Sequence, residues 1–572
     1  SSNIMLNAQL FKRVKAVKEG DTSMLTDEER MLLDKTFEGF ERSGANLSDE
    51  EKVRFRAIKS ELSQLTLQFS QNVLKETNDY YLHLTTEDEI AGLPESQRAQ
   101  AEQAAQEKGL DGWVFTLHAP SYVPFMQYAE RRDLREQLYR AYNTRATHDN
   151  EYNNFQIVAR LVNLRRELAQ LLGYATYAEY ALKRRMAQNA ENVNNLLDQL
   201  IAAYAPKARE EVAEVFALSP YEPQPWDFAY YAHKLQKSKF DIDSEMFRPY
   251  FELSKVKAGV FGLATRLYGI QFVERKDVPV YHEDVTAYDV LDKDGSHLAL
   301  LYTDFHPRAS KQGGAWMTSY REQREGVRPQ VSVVMNFTKP TAQQPALLTH
   351  AEVETFLHEF GHALHGIFAN TRFAALSGTN VYWDFVELPS QFMENYAVES
   401  EFLRTFATHY QTNDPIPELL IERLQASRNF NAAYACMRQV SFGLLDMAYY
   451  TQTLPFEANV RSFEQTAWQR ASLLPVCEDA CMTVQFGHIM SGGYSAGYYS
   501  YKWSEVLDAD AFSVFKAAQA TNGSIFDKES ADKFRMHVLE KGGTEHPMTL
   551  YRRFRGGEPS IDALLERDGI KK

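Results

Sequence analysis

A mainly α-helical protein in two parts, with a small β-sheet in the second part, is predicted by three observations. Apolar residues recur at helical spacing, one proline-rich stretch interrupts them, and one strong hairpin signal follows. From Ile157 through Leu161, Leu164, Leu168 and Leu171 the apolar positions step by four and three, and Gly173 stands where such a helix ends. The first eighty residues read similarly, and within Asn46-Leu47-Ser48-Asp49-Glu50-Glu51 polar groups supply a cap and an acidic first turn for the helix that follows. In Ser219-Pro220-Tyr221-Glu222-Pro223-Gln224-Pro225, three prolines in six residues cannot continue a helix. A boundary is therefore placed nearby, with a helical domain over 1–235 and a second domain over 236–572. Beyond it, Val285 to Leu291 and His297 to Tyr302 flank Asp294-Gly295, which predicts a hairpin, and Val331 to Phe337 offers a third strand.

The chain has 572 residues, 44% of them hydrophobic and 13% aromatic, enough apolar surface for a large core. Its 77 acidic residues outweigh 62 basic ones, a net charge of −15 that repels phosphate backbones and anionic lipid and argues against nucleic acid or a membrane surface as partner. No apolar run approaches the length of a membrane span, and the first residues do not resemble a signal peptide. Three cysteines, Cys436, Cys477 and Cys481, are too few and odd in number for a disulfide framework, which favours a reducing, cytoplasmic compartment. The spacing of Cys477 and Cys481 predicts one helical face and buried thiols rather than metal ligands.

The segment Thr349 to His362 carries the chemistry. Thr349 and Glu352 form a capping box, so a helix can begin there and run through His358-Glu359-Phe360-Gly361-His362. Two histidines four apart lie on one helical face, where both imidazoles can reach one zinc ion, and Glu359 beside them is placed to take a proton from water. With 15 His in the chain, a chance His-Glu-x-x-His is expected at roughly a few per cent, and two core histidines satisfied by hydrogen bonds are the competing explanation. A catalytic zinc takes three protein ligands, and Asp384 to Glu394 offers acids on a second helix, with Glu387, Gln391 and Glu394 on one face after Pro389. Glu387 suits a ligand, and Glu394 or Asp384 suits a carboxylate that orients a histidine. Spacing alone leaves the choice among these acids open.

His358 to Gly366, Leu376 to Asn380 and Asp384 to Gln391 resemble the thimet oligopeptidase family of zinc metallopeptidases, and within it the bacterial peptidyl-dipeptidases. The resemblance extends over Pro225-Trp226-Asp227 with Tyr230-Tyr231, Gly313 to Met317, Phe486 to Val506 and Phe554-Arg555-Gly556, nearly the whole chain. It implies a zincin-like, multi-helical metallopeptidase with two subdomains around a deep channel and the small sheet near the active site. It also implies one zinc ion with Glu387 as third ligand, and His488, Tyr494 and Tyr501 facing the substrate to assist the tetrahedral intermediate. Aromatic hydroxyls suit a developing oxyanion, and the glycines from Gly492 to Gly497 let the loop move or approach a peptide backbone closely. The expected activity is release of C-terminal dipeptides from short peptides by a cytoplasmic monomer. The alternatives are an endo-acting oligopeptidase of the same family and a non-catalytic peptide-binding protein with a structural zinc. Members usually carry a further helical segment ahead of the region matching Ala8 to Val17, so the channel wall built by 1–235 is expected without it. Dipeptide release needs a group that reads the substrate's free carboxylate, and the sequence alone singles out none.

Overall fold

The computed structural model describes all residues except 1, 244–245, 307–310, 312–313, 338–339, 341–343 and 572. Gly313, one residue of the Gly313 to Met317 run, thus lies outside the described residues. The chain forms two compact units, each assembled from separate stretches. The first comprises Ser1–Asn46, Ile242–Arg428 and Ser500–Lys572, and the second Leu47–Asp241 and Asn429–Tyr499. A single cut near residue 235 does not describe this arrangement. Pro225 begins a helix that runs through that position to Phe240, because a proline is well suited to the first helical turn. The chain also returns to its earlier half. Helix Ala432–Tyr450 packs on helix Ala190–Phe216, and Gly443 lets Leu197 approach to 3.1 Å from where a Cβ would stand.

The second unit is nearly all helix. Helix Asp49–Asp79 starts at Ser48, whose hydroxyl accepts from Glu51 N while the Glu51 carboxylate accepts from Ser48 N. Helix Phe155–Leu171 buries Ile157, Leu161, Leu164 and Leu168, as their spacing predicts, and Gly173 takes φ +87° just beyond it. Burying such an aliphatic side chain is worth about 1.5–3 kcal/mol. Strands Tyr81–Leu84 and Trp113–Thr116, which the sequence does not announce, pair antiparallel. Buried Asp227 receives both Arg132 and Arg135, tying helix Arg132–Asn143 to helix Pro225–Phe240. Cys477 and Cys481 lie outside any helix, contrary to the one-face expectation. Cys481 is buried and donates to Glu464, whereas Cys477 is half-buried and donates to Asp479. Just beyond Cys481 the backbone N–H groups of Met482 and Thr483 donate to the Glu464 carboxylate rather than to helical carbonyls.

The first unit holds a five-stranded mixed sheet in the order Gln271–Glu274, Val285–Leu291, His297–Asp304, Gln330–Val334, Trp316–Arg321. The predicted hairpin is its centre, turning at Gly295 with φ +83°. Gln330–Val334 joins His297–Asp304 in parallel, and the other pairs are antiparallel. Strands Gln271–Glu274 and Trp316–Arg321 are too short or too irregular in pattern to be read from sequence. Helix His350–Phe368 lies on this sheet, and at Gly366 a Cβ would meet Met317 at 2.8 Å and Val331 at 2.9 Å. The small sheet is thus the floor under the histidine helix. Among the described residues, no helix is long and apolar enough to cross a membrane.

Candidate active site

The histidine helix begins as the capping box requires. Thr349 Oγ1 accepts from Glu352 N at 3.1 Å, and the Glu352 carboxylate accepts from Thr349 N at 2.8 Å. Further along this helix, His358 and His362 stand one turn apart with ring centroids separated by 5.0 Å. Between them Gly361 packs against the next helix, Leu388–Glu394, where a Cβ would sit 2.3 Å from the Pro389 carbonyl oxygen and 2.6 Å from Ser390 Cα. Absence of a side chain there lets the two backbones touch, and this contact carries Glu387, the residue preceding the second helix, to the histidines.

Glu387 Oε2 lies 3.3 Å from His358 Nε2 and 3.2 Å from His362 Nε2. The three donor atoms fall within 4.8 Å of one another, the only such metal-ligating group among the described residues. Burial alone would raise the Glu387 carboxyl, but its contacts with the two imidazoles outweigh burial and hold it well below the usual carboxylate range. The Ser390 hydroxyl donates to Glu387 Oε2 at 2.9 Å and fixes its orientation. The arrangement fits a divalent cation, since two imidazole nitrogens and an anionic oxygen converge on one point.

Of the two acids that spacing left to orient a histidine, Glu394 is the one in place, accepting from His358 Nδ1 at 2.5 Å. That bond leaves Nε2 directed toward Glu387, the usual division of labour in a ligating histidine. Asp384 is fully buried, and its carbonyl oxygen accepts from the Ser504 hydroxyl. His362 Nδ1 is buried with no hydrogen-bond partner among the described residues. Glu359 is 7% exposed, and burial pushes its carboxyl above the ordinary value against the pull of His358 and His362. A carboxylate so raised is a stronger base toward water than an exposed one.

Tyr501 belongs to the same unit, at the start of helix Ser500–Asn522. His488 and Tyr494 belong to the second unit, where their rings pack at 5.4 Å. The loop that carries them is held firmly, contrary to the freedom its glycines suggest. Arg165 donates to the carbonyls of Ile489 and Met490, and the Tyr450 and Ser495 hydroxyls donate to Ile489 O. Buried Asp446 accepts from three consecutive backbone N–H groups, Ala496 at 2.8 Å, Gly497 at 2.8 Å and Tyr498 at 2.9 Å. Between these two anchors Gly492 and Gly493 are exposed, as is His488 ahead of them.

Asp446 and Arg165 are supports of this loop that sequence reasoning missed. Asp446 sits fifty residues from the loop, and a lone acid in an apolar helix announces no partner. Ala496 takes φ +53°, a conformation these contacts hold in place and the sequence does not announce. Replacing Asp446 by Ala leaves three buried donors unpaired, at about 1–3 kcal/mol for each. The expected result is a melting transition several degrees lower and faster hydrogen exchange at residues 496–498, measured by calorimetry and mass spectrometry.

The model of Peptidase family M3 matches residues 125–570 of this chain. The chain belongs to peptidase family M3. Oligopeptidase A of Escherichia coli (strain K12) is 38% identical to this M3 peptidase over 98% of the chain and 84% of the relative's length. Dipeptidyl carboxypeptidase of the same organism is 36% identical over 100% of the chain and 85% of the relative. Among solved structures, PZ peptidase A with inhibitor 2 superposes with a TM-score of 0.58 at 15% identity, covering 99% of this chain and 84% of that one. The M32 carboxypeptidase from Deinococcus radiodurans R1 gives 0.54, also at 15%. These two likenesses speak for the fold, a multi-helical zincin-like body. The M3 chain is a metallopeptidase that hydrolyses peptides.

Proposed function

We propose that this M3 peptidase hydrolyses short peptides with one zinc ion held by His358, His362 and Glu387, releasing dipeptides from the substrate's C-terminus. The observation that carries the reading is the convergence of those three side chains beside a buried Glu359. Zinc in this donor set supplies Lewis acidity, which polarises a peptide carbonyl and acidifies water. Glu359 takes the proton from the attacking water as its oxygen bonds to the carbonyl carbon, then delivers that proton to the departing amine as the C–N bond breaks. Glu394 and Ser390 hold a ligating histidine and the ligating carboxylate in register. His488, Tyr494 and Tyr501 are assigned to donate to the oxyanion, each at about 2–4 kcal/mol if it acts as a single donor of that kind.

A three-residue donor set argues against a structural zinc, which usually has four protein ligands and often cysteines. Peptide turnover should vanish with a chelator and return on adding zinc, whereas a peptide-binding protein with structural zinc would show no turnover before chelation. Similarity to dipeptidyl carboxypeptidase supports dipeptide release, and similarity to oligopeptidase A supports the endo-acting alternative. The two separate on one comparison. A peptide with a free C-terminus is expected to be cleaved with at least about tenfold higher kcat/KM than its amide, the difference one charge-assisted contact makes. Equal rates, with cuts distant from the terminus, would establish the endo mode.

A further inference from the structure

Within the second unit an open cavity of about 380 Å³ is lined by helices Arg132–Asn143, Pro225–Phe240 and Ala432–Tyr450 and by the segment from Glu464 to Met482. Arg438 stands in it. Its guanidinium lies 4.4 Å over the Phe442 ring and 5.5 Å from the Trp468 ring, and it pairs with no carboxylate among the described residues. In a chain with 15 more acidic than basic residues, a cation left without an acid is a site in want of an anion. Tyr139 and Tyr434 line the same cavity, and their hydroxyls likewise have no hydrogen-bond partner among the described residues. Burial raises both phenols above their ordinary value and the Arg438 charge pulls each back, so the guanidinium and both hydroxyls share one field. Glu464 is the one carboxylate in the lining, and its oxygens already accept from Met482 N, Thr483 N and the Thr483 hydroxyl.

The cavity adjoins the loop assigned to the substrate. Phe442, under the guanidinium, packs on Phe486 at 5.0 Å and on Tyr498 at 5.4 Å. The Tyr498 hydroxyl donates to Gln439, the neighbour of Arg438, at 2.9 Å, and the Tyr498 ring lies 5.6 Å from His488. We propose that Arg438, with the Tyr139 and Tyr434 hydroxyls, binds a carboxylate of the peptide substrate and so determines which peptides are cleaved. A guanidinium with two phenolic donors matches the oxygens of one carboxylate, and the aromatic walls strengthen the contact by excluding water. The inference rests on the peptide-hydrolase reading. Its ligand is either the C-terminal carboxylate or an acidic side chain.

The test uses the zinc-loaded enzyme and four short peptides of one sequence, free acid or amide at the terminus and Glu or Gln at one internal position. Arg438→Gln is expected to raise KM for peptides bearing the recognised carboxylate by about ten- to a hundredfold with kcat nearly unchanged. KM for the peptides lacking that carboxylate should stay as in wild type, and Arg438→Lys should recover part of the loss. Tyr139→Phe and Tyr434→Phe should each raise KM for the same peptides by a smaller factor, and they test the site even if Arg438→Gln folds poorly. A loss tied to the free terminus assigns the C-terminal carboxylate, and a loss tied to Glu assigns a side chain. A parallel loss on all four peptides, or none on any, overturns the inference. Equal cleavage of acid and amide by wild type would refute dipeptide release while leaving Arg438 to be judged on the Glu–Gln pair.

Discussion

Glu359→Gln is expected to retain its zinc and lose about two to four orders of magnitude in kcat, the usual worth of a positioned general base. The amide is nearly the same size as the carboxylate, so a site of 7% exposure accepts it without a cavity. Glutamine has no basic oxygen, and the attacking water keeps its proton. Because Glu359 makes no part of the three-atom donor set, metal content should match wild type. KM should change far less than kcat, since the lost interaction arises only as the proton moves. Steady-state kinetics with metal analysis of the same preparation check both halves of the expectation. Near-normal hydrolysis would remove Glu359 from the mechanism.

Gly361→Ala is expected to damage the metal centre without touching a ligand. In an ordinary helix this change stabilises by nearly 1 kcal/mol. Here the new methyl meets the Pro389 carbonyl oxygen at 2.3 Å and Ser390 Cα at 2.6 Å, backbone atoms that cannot rotate aside. Helix Leu388–Glu394 must move away, and it takes Glu387 with it. The overpacking should cost about 1–3 kcal/mol of stability, and zinc affinity should fall by about ten- to a hundredfold, as when a supporting contact of a metal ligand is removed. Thermal unfolding with and without zinc, and competition with a chelating dye, measure the two effects. Wild-type affinity in this variant would mean that the close approach of the helices does not position Glu387.

The contrast between these two residues shows where the sequence is legible. Glu359 is marked by its place between two histidines at helical spacing, and the capping box at Thr349 fixes the frame in which that spacing has meaning. The helix of Leu161 and Leu168 and the hairpin at Gly295 are likewise written locally, in periodicity and turn chemistry. What brings Glu387 to the histidines is non-local. Glu387, Gln391 and Glu394 share a face on paper, and only the meeting of Gly361 with Pro389 shows which acid arrives at the ligand point and which at His358 Nδ1. Asp446 and Arg165 were invisible for the same reason, being held to their loop by contacts across long stretches of chain. The cut placed near residue 235 lies a few residues short of the boundary between Asp241 and Ile242, because prolines report a break in a helix and here the break is followed by another helix of the same unit; the return of Asn429–Tyr499 to that unit carries no local signal.

Metal analysis and X-ray absorption on the purified protein decide whether His358, His362 and Glu387 hold the ion. One zinc per chain is expected, bound by two imidazole nitrogens and a carboxylate oxygen at about 2.0–2.2 Å, and lost in His358→Ala and in Glu387→Ala. A sulfur scatterer, a fourth protein ligand, or undiminished zinc in those variants would contradict that assignment.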